Sequence, residues 1–320
     1  MTTLNKMQSI EQLVINWHVN EACNFSCRYC YAKWKNQGKP TDVIRDYRET
    51  EEFLERIYEF FSPENTANPL QEKVKWKTVR LNIAGGEPML YKKQVLHALK
   101  KAKALGFQTS IITNGSYLDL QTLREYSPAL NMLGISIDSA NHKTNTVTGR
   151  ISPRGDTLNL DTLAADLAII RNEFSELKLK LNTVVNANNH EENLTKTLNL
   201  LNPDKWKVFR VLPIVDRSTE VSKLQFKAFV DRHSQFSEIT FVEKNTDMIS
   251  SYIMLDPTCR FFQNDNKNPQ TEYSYSNSVL NSSVESAFSQ IEFSQQAYSK
   301  RYRAPTAQTK TSITSAGLER

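Results

Sequence analysis

Strand-like and helix-like segments alternate six times between Leu13 and Phe236, and this alternation restricts the fold more than any other feature of the chain. Strands are expected at Leu13–Val19, Val79–Ala84, Gln108–Thr113, Met132–Asp138, Lys178–Val185 and Lys205–Leu212, where β-formers cluster in short runs. Helices are expected at Asp46–Phe61, Gln94–Leu105, Asp119–Tyr126, Asp161–Phe174, Glu191–Leu201 and Leu224–Phe236 from apolar residues at helical spacing. Such alternation calls for parallel strands joined by right-handed crossovers. A partial barrel and an open doubly wound sheet both satisfy it, and both place a site at the C-terminal strand ends. Polar and cysteine-bearing segments follow several strands here, which suits one shared rim. The expected fold is therefore α/β, a partial (β/α)6 barrel of TIM type.

The barrel is expected over residues 13–236, after a lead-in at 1–12. An extension at 237–303 is expected to cover one mouth, with short strand pieces at Thr240–Val242 and Tyr252–Leu255 and a last helix at Val284–Ser299. Residues 139–156 read as a long loop, and 304–320, rich in Ser, Thr and Ala, as a disordered tail. The net charge of +5 comes without a dense run of Lys and Arg, so no nucleic-acid surface is marked. No apolar run has the length of a signal peptide or a membrane span. A soluble, cytoplasmic monomer is expected.

The chain has 4 cysteines, too few and too unevenly spread for a disulfide framework. Cys23, Cys27 and Cys30 stand in one loop after the first strand, in the pattern Cys-x3-Cys-x2-Cys, while Cys259 is remote and reads as structural. Three thiolates so placed can bind three irons of a four-iron cluster and leave the last iron for chemistry. The competing reading is a structural zinc site closed by a distant His or Cys, for which His18 would be the candidate. His18 otherwise belongs beside the site or in packing.

This loop, WHVNEACNFSCRYCY, resembles the signature of the radical S-adenosylmethionine (SAM) superfamily. Gly85-Gly86-Glu87-Pro88, one βα unit later, matches that superfamily's GGEP element. The resemblance implies a [4Fe-4S] cluster on Cys23, Cys27 and Cys30. It also implies SAM contacts from Tyr29, Gly85, Gly86, Glu87, Asn114, Ser136, Arg150 and Asn182. Glycines there let a strand edge approach a ligand closely, and Glu87 can accept from the SAM ammonium.

The likeness narrows further. LNIAGGEP, ISIDSAN followed by TGR, KLKLNTVVN, NPDKWKVF, and SYIMLD followed by CRFFQN together resemble the viperin-like radical SAM enzymes, in order from about Ile10 to about Tyr302. The resemblance implies a nucleoside triphosphate substrate, with CTP or UTP favoured and GTP allowed. Its ribose would lose the 4′ hydrogen to a 5′-deoxyadenosyl radical and then the 3′ hydroxyl as water. The implied product, a 3′-deoxy-3′,4′-didehydro nucleotide, terminates polymerase chains and serves antiviral or antiphage defence. Arg80, Lys180, Lys207 and Lys267 would meet the triphosphate, since several cations must converge there. Tyr252 would relay the final hydrogen or electron, and a flavodoxin or ferredoxin would supply electrons.

The chain departs from animal members of that family. No amphipathic N-terminal helix precedes the first strand, so no membrane association is expected, and the loop around Lys267 is less basic. Two other readings stand beside this one: a radical SAM enzyme acting on another nucleotide-like phosphate, and a non-enzymatic zinc-binding interaction protein.

Overall fold

The computed structural model describes residues 8–30, 32, 41–212, 216–243, 250–264 and 273–302. Its strands are β1 (Gln8–His18), β2 (Val74–Ala84), β3 (Gln108–Thr113), β4 (Met132–Ser136), β5 (Lys178–Val185), β6 (Lys205–Arg210), β7 (Thr240–Glu243), β8 (Ile253–Leu255), β9 (Arg260–Asn264) and β10 (Tyr273–Ser278). The helices are α1 (Tyr47–Phe61), α2 (Lys92–Leu105), α3 (Leu120–Tyr126), α4 (His142–Thr148), α5 (Leu160–Glu173), α6 (Thr195–Leu201), α7 (Lys223–Arg232), α8 (Val284–Phe288) and α9 (Gln295–Tyr302). All strands join one 10-stranded sheet in the order β10-β9-β8-β1-β2-β3-β4-β5-β6-β7. From β8 to β7 every pairing is parallel, and only the β8–β9 and β9–β10 pairings are antiparallel.

Period-two alternation gives this sheet two unlike faces. Ile15, Leu81, Ile111, Leu133, Leu181 and Val208 are buried on one face. There Trp17 packs on Phe53 of α1, with ring centroids 4.6 Å apart. The other face carries Asn16, Arg80, Asn82, Ser110, Lys180, Asn182, Lys205 and Lys207. Asn82 donates to Asn16 Oδ1 at 2.9 Å and Ser110 donates to Asn82 Oδ1 at 2.8 Å, a polar ladder across β1, β2 and β3. An apolar face would have suited a sandwich. A polar face turned inward needs a lined cavity.

The sheet curls so that this polar face lies inside. Strands β7 and β8 are separated in sheet order by β1 through β6. Yet the Tyr252 hydroxyl, one residue before β8, donates to Glu243 at the end of β7 over 2.6 Å. The extension therefore takes part in closing the barrel: β7 and β8 are sheet strands, and α9 packs on β1. Tyr298 of α9 is buried and its hydroxyl donates to the Val14 carbonyl at 3.1 Å.

Local differences from the expectations have local causes. The stretch 139–156 contains α4, whose sequence HKTNTVT has no apolar period. Its ends are set by caps: Asn141 accepts from the Lys143 amide at 2.8 Å, and Gly149 takes φ +76°. The expected last helix is broken into α8 and α9, with the Ser294 amide bonded to the Ser250 carbonyl at 2.8 Å between them. Strand β1 begins at Gln8, inside the expected lead-in. Cys259 is fully buried, as a structural cysteine would be. Lys267 and the tail 303–320 lie outside the described residues. Among the described residues no helix is long and apolar enough to cross a membrane.

Candidate active site

Main chain grips the cysteine loop from two sides. The Gly86 amide donates to the Asn20 carbonyl at 2.7 Å and the Glu87 amide to the Ala22 carbonyl at 2.8 Å. On the other side the Ser26 amide donates to Gly149 at 3.1 Å and the Arg28 amide to Thr148 at 3.0 Å. Both grips need glycine: a Cβ on Gly86 would lie 2.3 Å from the Ala22 carbonyl oxygen, and one on Gly149 2.3 Å from that of Ser26. Glycine permits this closeness of backbone to backbone. Cys23 is exposed, while Cys27 and Cys30 are partly buried. Cys30 packs against the small apolar patch of Met254 and Phe262 from the extension.

Three free thiols in one loop are a donor set that a four-iron cluster can take from protein, leaving one iron open. Among the described residues no group of three His, Cys, Asp or Glu could hold one metal ion. His18 is buried edge-on against Phe262, and burial pushes its imidazole down to about 3. The ring is therefore neutral where it packs on Phe262. Burial pushes the Cys27 thiol up to about 12, and Arg150 opposes that shift.

Behind the loop lies a buried charged network. Tyr29 donates its hydroxyl to Asp138 Oδ2, and the Arg150 guanidinium reaches the same oxygen at 3.2 Å. The other Asp138 oxygen accepts from the Val184 amide at 2.7 Å. Arg150 also donates to the Ser136 carbonyl at 2.5 Å. Tyr29, Ser136 and Arg150 thus meet beside Cys27, joined by Asp138, a strand-end residue.

Glu87 is fully buried, and its carboxylate accepts from the Met89 amide at 2.9 Å, Thr113 Oγ1 at 2.6 Å and the Asn114 amide at 2.7 Å. Its visible work is to lock the end of β3 to the Gly85-Gly86 turn. The Asn114 amide group bonds Asn24 at 2.8 Å and comes within 3.8 Å of Cys23 Sγ, tying the same strand end to the loop. Asn182 is buried, in register with Ser136 and Lys207, and its Oδ1 has no hydrogen-bond partner. An orphaned acceptor in a polar cavity is a place for a ligand donor.

Further along the inner face, earlier on the strands than the cysteine rim, cations converge. Lys180 and Lys205 are paired in register, and Arg80 lies on the same face. Burial, then the charges of Lys207, Arg80 and Lys205, hold Lys180 well below the ordinary lysine value. Burial with Lys207 and Arg80 brings Lys205 down to about 8. Lys207 and Arg301 both pair with Glu243, the latter at 2.5 Å. Arg301 also lies 3.8 Å over the Tyr252 ring, and Lys207 donates to the Tyr252 hydroxyl at 3.3 Å. So many like charges in one buried space, with Glu243 the single carboxylate paired to them among the described residues, have the charge to hold a polyanion.

The structure brings Arg80, Lys180, Lys207 and Tyr252 together. Lys205, Arg301 and Glu243 join the site without having been singled out as site residues, and Asp138 joins it as a strand-end residue that had been given no specific role. Lys205 was findable, two residues before Lys207 on the same strand face. Arg301 and Glu243 carried no local signal, because both reach the site through the way the extension closes.

A family model for the radical SAM superfamily matches residues 17–196. A protein of Pseudoalteromonas ulvae named S-adenosylmethionine-dependent nucleotide dehydratase is 38% identical over 298 residues, covering 93% of this chain and 95% of that one. Its namesake in Psychrobacter lutiphocae is 35% identical, covering 92% and 95%. Among solved structures, Streptococcus suis SuiB bound to S-adenosylmethionine superposes with a TM-score of 0.58 at 13% identity, covering 91% of this chain and 67% of that one. That likeness is one of fold.

Proposed function

Because the chain belongs to the radical SAM superfamily and, within it, to the S-adenosylmethionine-dependent nucleotide dehydratases, we propose that it dehydrates a nucleoside triphosphate, CTP or UTP by preference. The observation that carries the triphosphate is the buried convergence of Arg80, Lys180, Lys205, Lys207 and Arg301 on one face of the barrel. Lysines held below their ordinary value recover a favourable charged state when phosphate arrives.

Cys23, Cys27 and Cys30 would hold the [4Fe-4S] cluster, and SAM would bind its open iron beside Arg150, Asn182 and the Gly85-Gly86 turn. Bound together, these groups supply a 5′-deoxyadenosyl radical, which is the cofactor's chemistry. The protein's part is to orient and enclose. A triphosphate held on the inner cations would have its ribose toward the cysteine rim, and the chemistry supplied there would be removal of the 4′ hydrogen followed by loss of the 3′ hydroxyl as water. Tyr252, with its hydroxyl bonded to Glu243, stands beside the phosphate cations as the candidate for the closing hydrogen or electron. The product lacks a 3′ hydroxyl and would terminate polymerase chains, which fits antiphage defence in the cytoplasm. A flavodoxin or ferredoxin would deliver electrons.

The test is an anaerobic incubation of reconstituted protein with SAM, dithionite and each nucleoside triphosphate in turn. Formation of 5′-deoxyadenosine that depends on a pyrimidine triphosphate, with a matching product lighter by one water, is expected. Cleavage of SAM indifferent to every triphosphate would overturn the reading.

A further inference from the structure

The cations of the barrel are not equivalent. Lys207 and Arg301 are each paired with Glu243. Arg80, Lys180 and Lys205 have no carboxylate within ion-pair distance among the described residues: Arg80 Nη1 contacts Met132 Sδ at 3.6 Å, and Lys205 Nζ lies 3.9 Å over the Phe241 ring. Glu243 has its side chain only 8% exposed. It pairs with Lys207 and Arg301 and accepts from the Tyr252 hydroxyl, and so already occupies, as an anion, the space between two phosphate-binding candidates.

We infer that Glu243 is the resident counter-ion of the site, an affinity-setting and positioning residue against which the phosphate chain competes for Lys207 and Arg301. The inference rests on the nucleotide reading above and deepens it. A barrel holding these cations with no internal anion would bind any polyphosphate, product included, and release it slowly. Glu243 lowers that affinity by giving Lys207 and Arg301 a partner that substrate must displace. It also fixes Tyr252, since a phenol bonded to a buried carboxylate has one preferred hydroxyl direction. Arg301 belongs to α9, so phosphate that takes Arg301 from Glu243 acts directly on the helix that packs against β1.

The probe is inorganic tripolyphosphate, measured by calorimetry on the whole reconstituted protein without turnover. Wild type is expected to bind it. Glu243→Gln, isosteric and uncharged, is expected to bind it about tenfold tighter, equivalent to ~1.4 kcal/mol. Glu243→Asp keeps the charge but draws it back from Lys207 and Arg301, and is expected to fall between the two. With CTP, Glu243→Gln is expected to lower KM and kcat together, as Tyr252 loosens and product lingers. If either soluble variant binds tripolyphosphate no tighter than wild type, the counter-ion role is wrong while the nucleotide reading stands. If wild type itself fails to bind tripolyphosphate, the triphosphate site is wrong, and the counter-ion role falls with it.

Discussion

Glu243 and Tyr252 stand at the two ends of a run of parallel strands and meet across 2.6 Å. Their hydrogen bond is the seam at which the sheet closes into a barrel. Tyr252→Phe removes that bond and leaves the buried Glu243 one donor short. A loss of about 2 kcal/mol is expected from a hydrogen bond to a charged group. Urea unfolding checks it, and an unchanged midpoint would mean the seam is held by the ion pairs alone.

The two glycine grips predict a specific failure. Gly86→Ala puts a methyl 2.3 Å from the Ala22 carbonyl oxygen, where backbone cannot yield cheaply. The cysteine loop must shift, while the sheet below it has no reason to. Iron and sulfide per chain after anaerobic reconstitution are expected to fall far below wild type, with the far-ultraviolet dichroism unchanged. Full cluster loading in this variant would show that the loop tolerates displacement.

Asp138→Asn keeps the shape of the buried network and removes its negative charge. Arg150, its side chain 10% exposed, then has no carboxylate within ion-pair distance among the described residues. Breaking such a pair costs on the order of 3 kcal/mol. Binding of SAM to the reconstituted protein is expected to weaken about tenfold, ~1.4 kcal/mol, because Arg150 and Tyr29 lose their common anchor. Unchanged SAM affinity would remove Arg150 from the SAM site.

How far the sequence alone reached can be judged from these same residues. Strands β1 to β6 were foreseen, because β2, β5 and β6 alternate apolar and polar residues and most helices between them carry an apolar stripe, whereas β7 and β8 were expected as short pieces of an extension over the mouth and not as members of the parallel sheet. Arg80, Lys180 and Lys207 were named from the family resemblance, and the alternation of β2, β5 and β6 accounts for the face they share. Glu243, Arg301 and the seam at Tyr252 were not foreseen as a unit. Their meeting depends on the closing geometry of β7, β8 and α9, which no local period encodes. Helix α4 was hidden for the opposite reason: it is held by its caps at Asn141 and Gly149 and not by an apolar face.

Lys205 gives a pH signature. Burial, with Lys207 and Arg80 nearby, holds it at about 8 against an ordinary 10.5. Between those values the unfolded chain keeps the proton and the folded chain releases it. Stability is therefore expected to rise with pH from about 8 upward, as far as this residue decides it. A bound phosphate chain favours the charged amine, so binding above pH ~8 should take up protons. Calorimetry of tripolyphosphate binding in two buffers of different ionisation enthalpy measures that uptake, and its absence near pH ~8.5 would take Lys205 out of the phosphate site.

The central claim is that this barrel aims the ribose of a nucleoside triphosphate at a radical formed beside Cys23, Cys27 and Cys30. Mass spectrometry of the 5′-deoxyadenosine made from CTP or UTP deuterated at the ribose 4′ carbon tests it most directly. The proposed function predicts 5′-deoxyadenosine carrying that deuterium, with a dehydrated nucleotide in equal amount. Unlabelled 5′-deoxyadenosine from a deuterated nucleotide that is nonetheless consumed would contradict it.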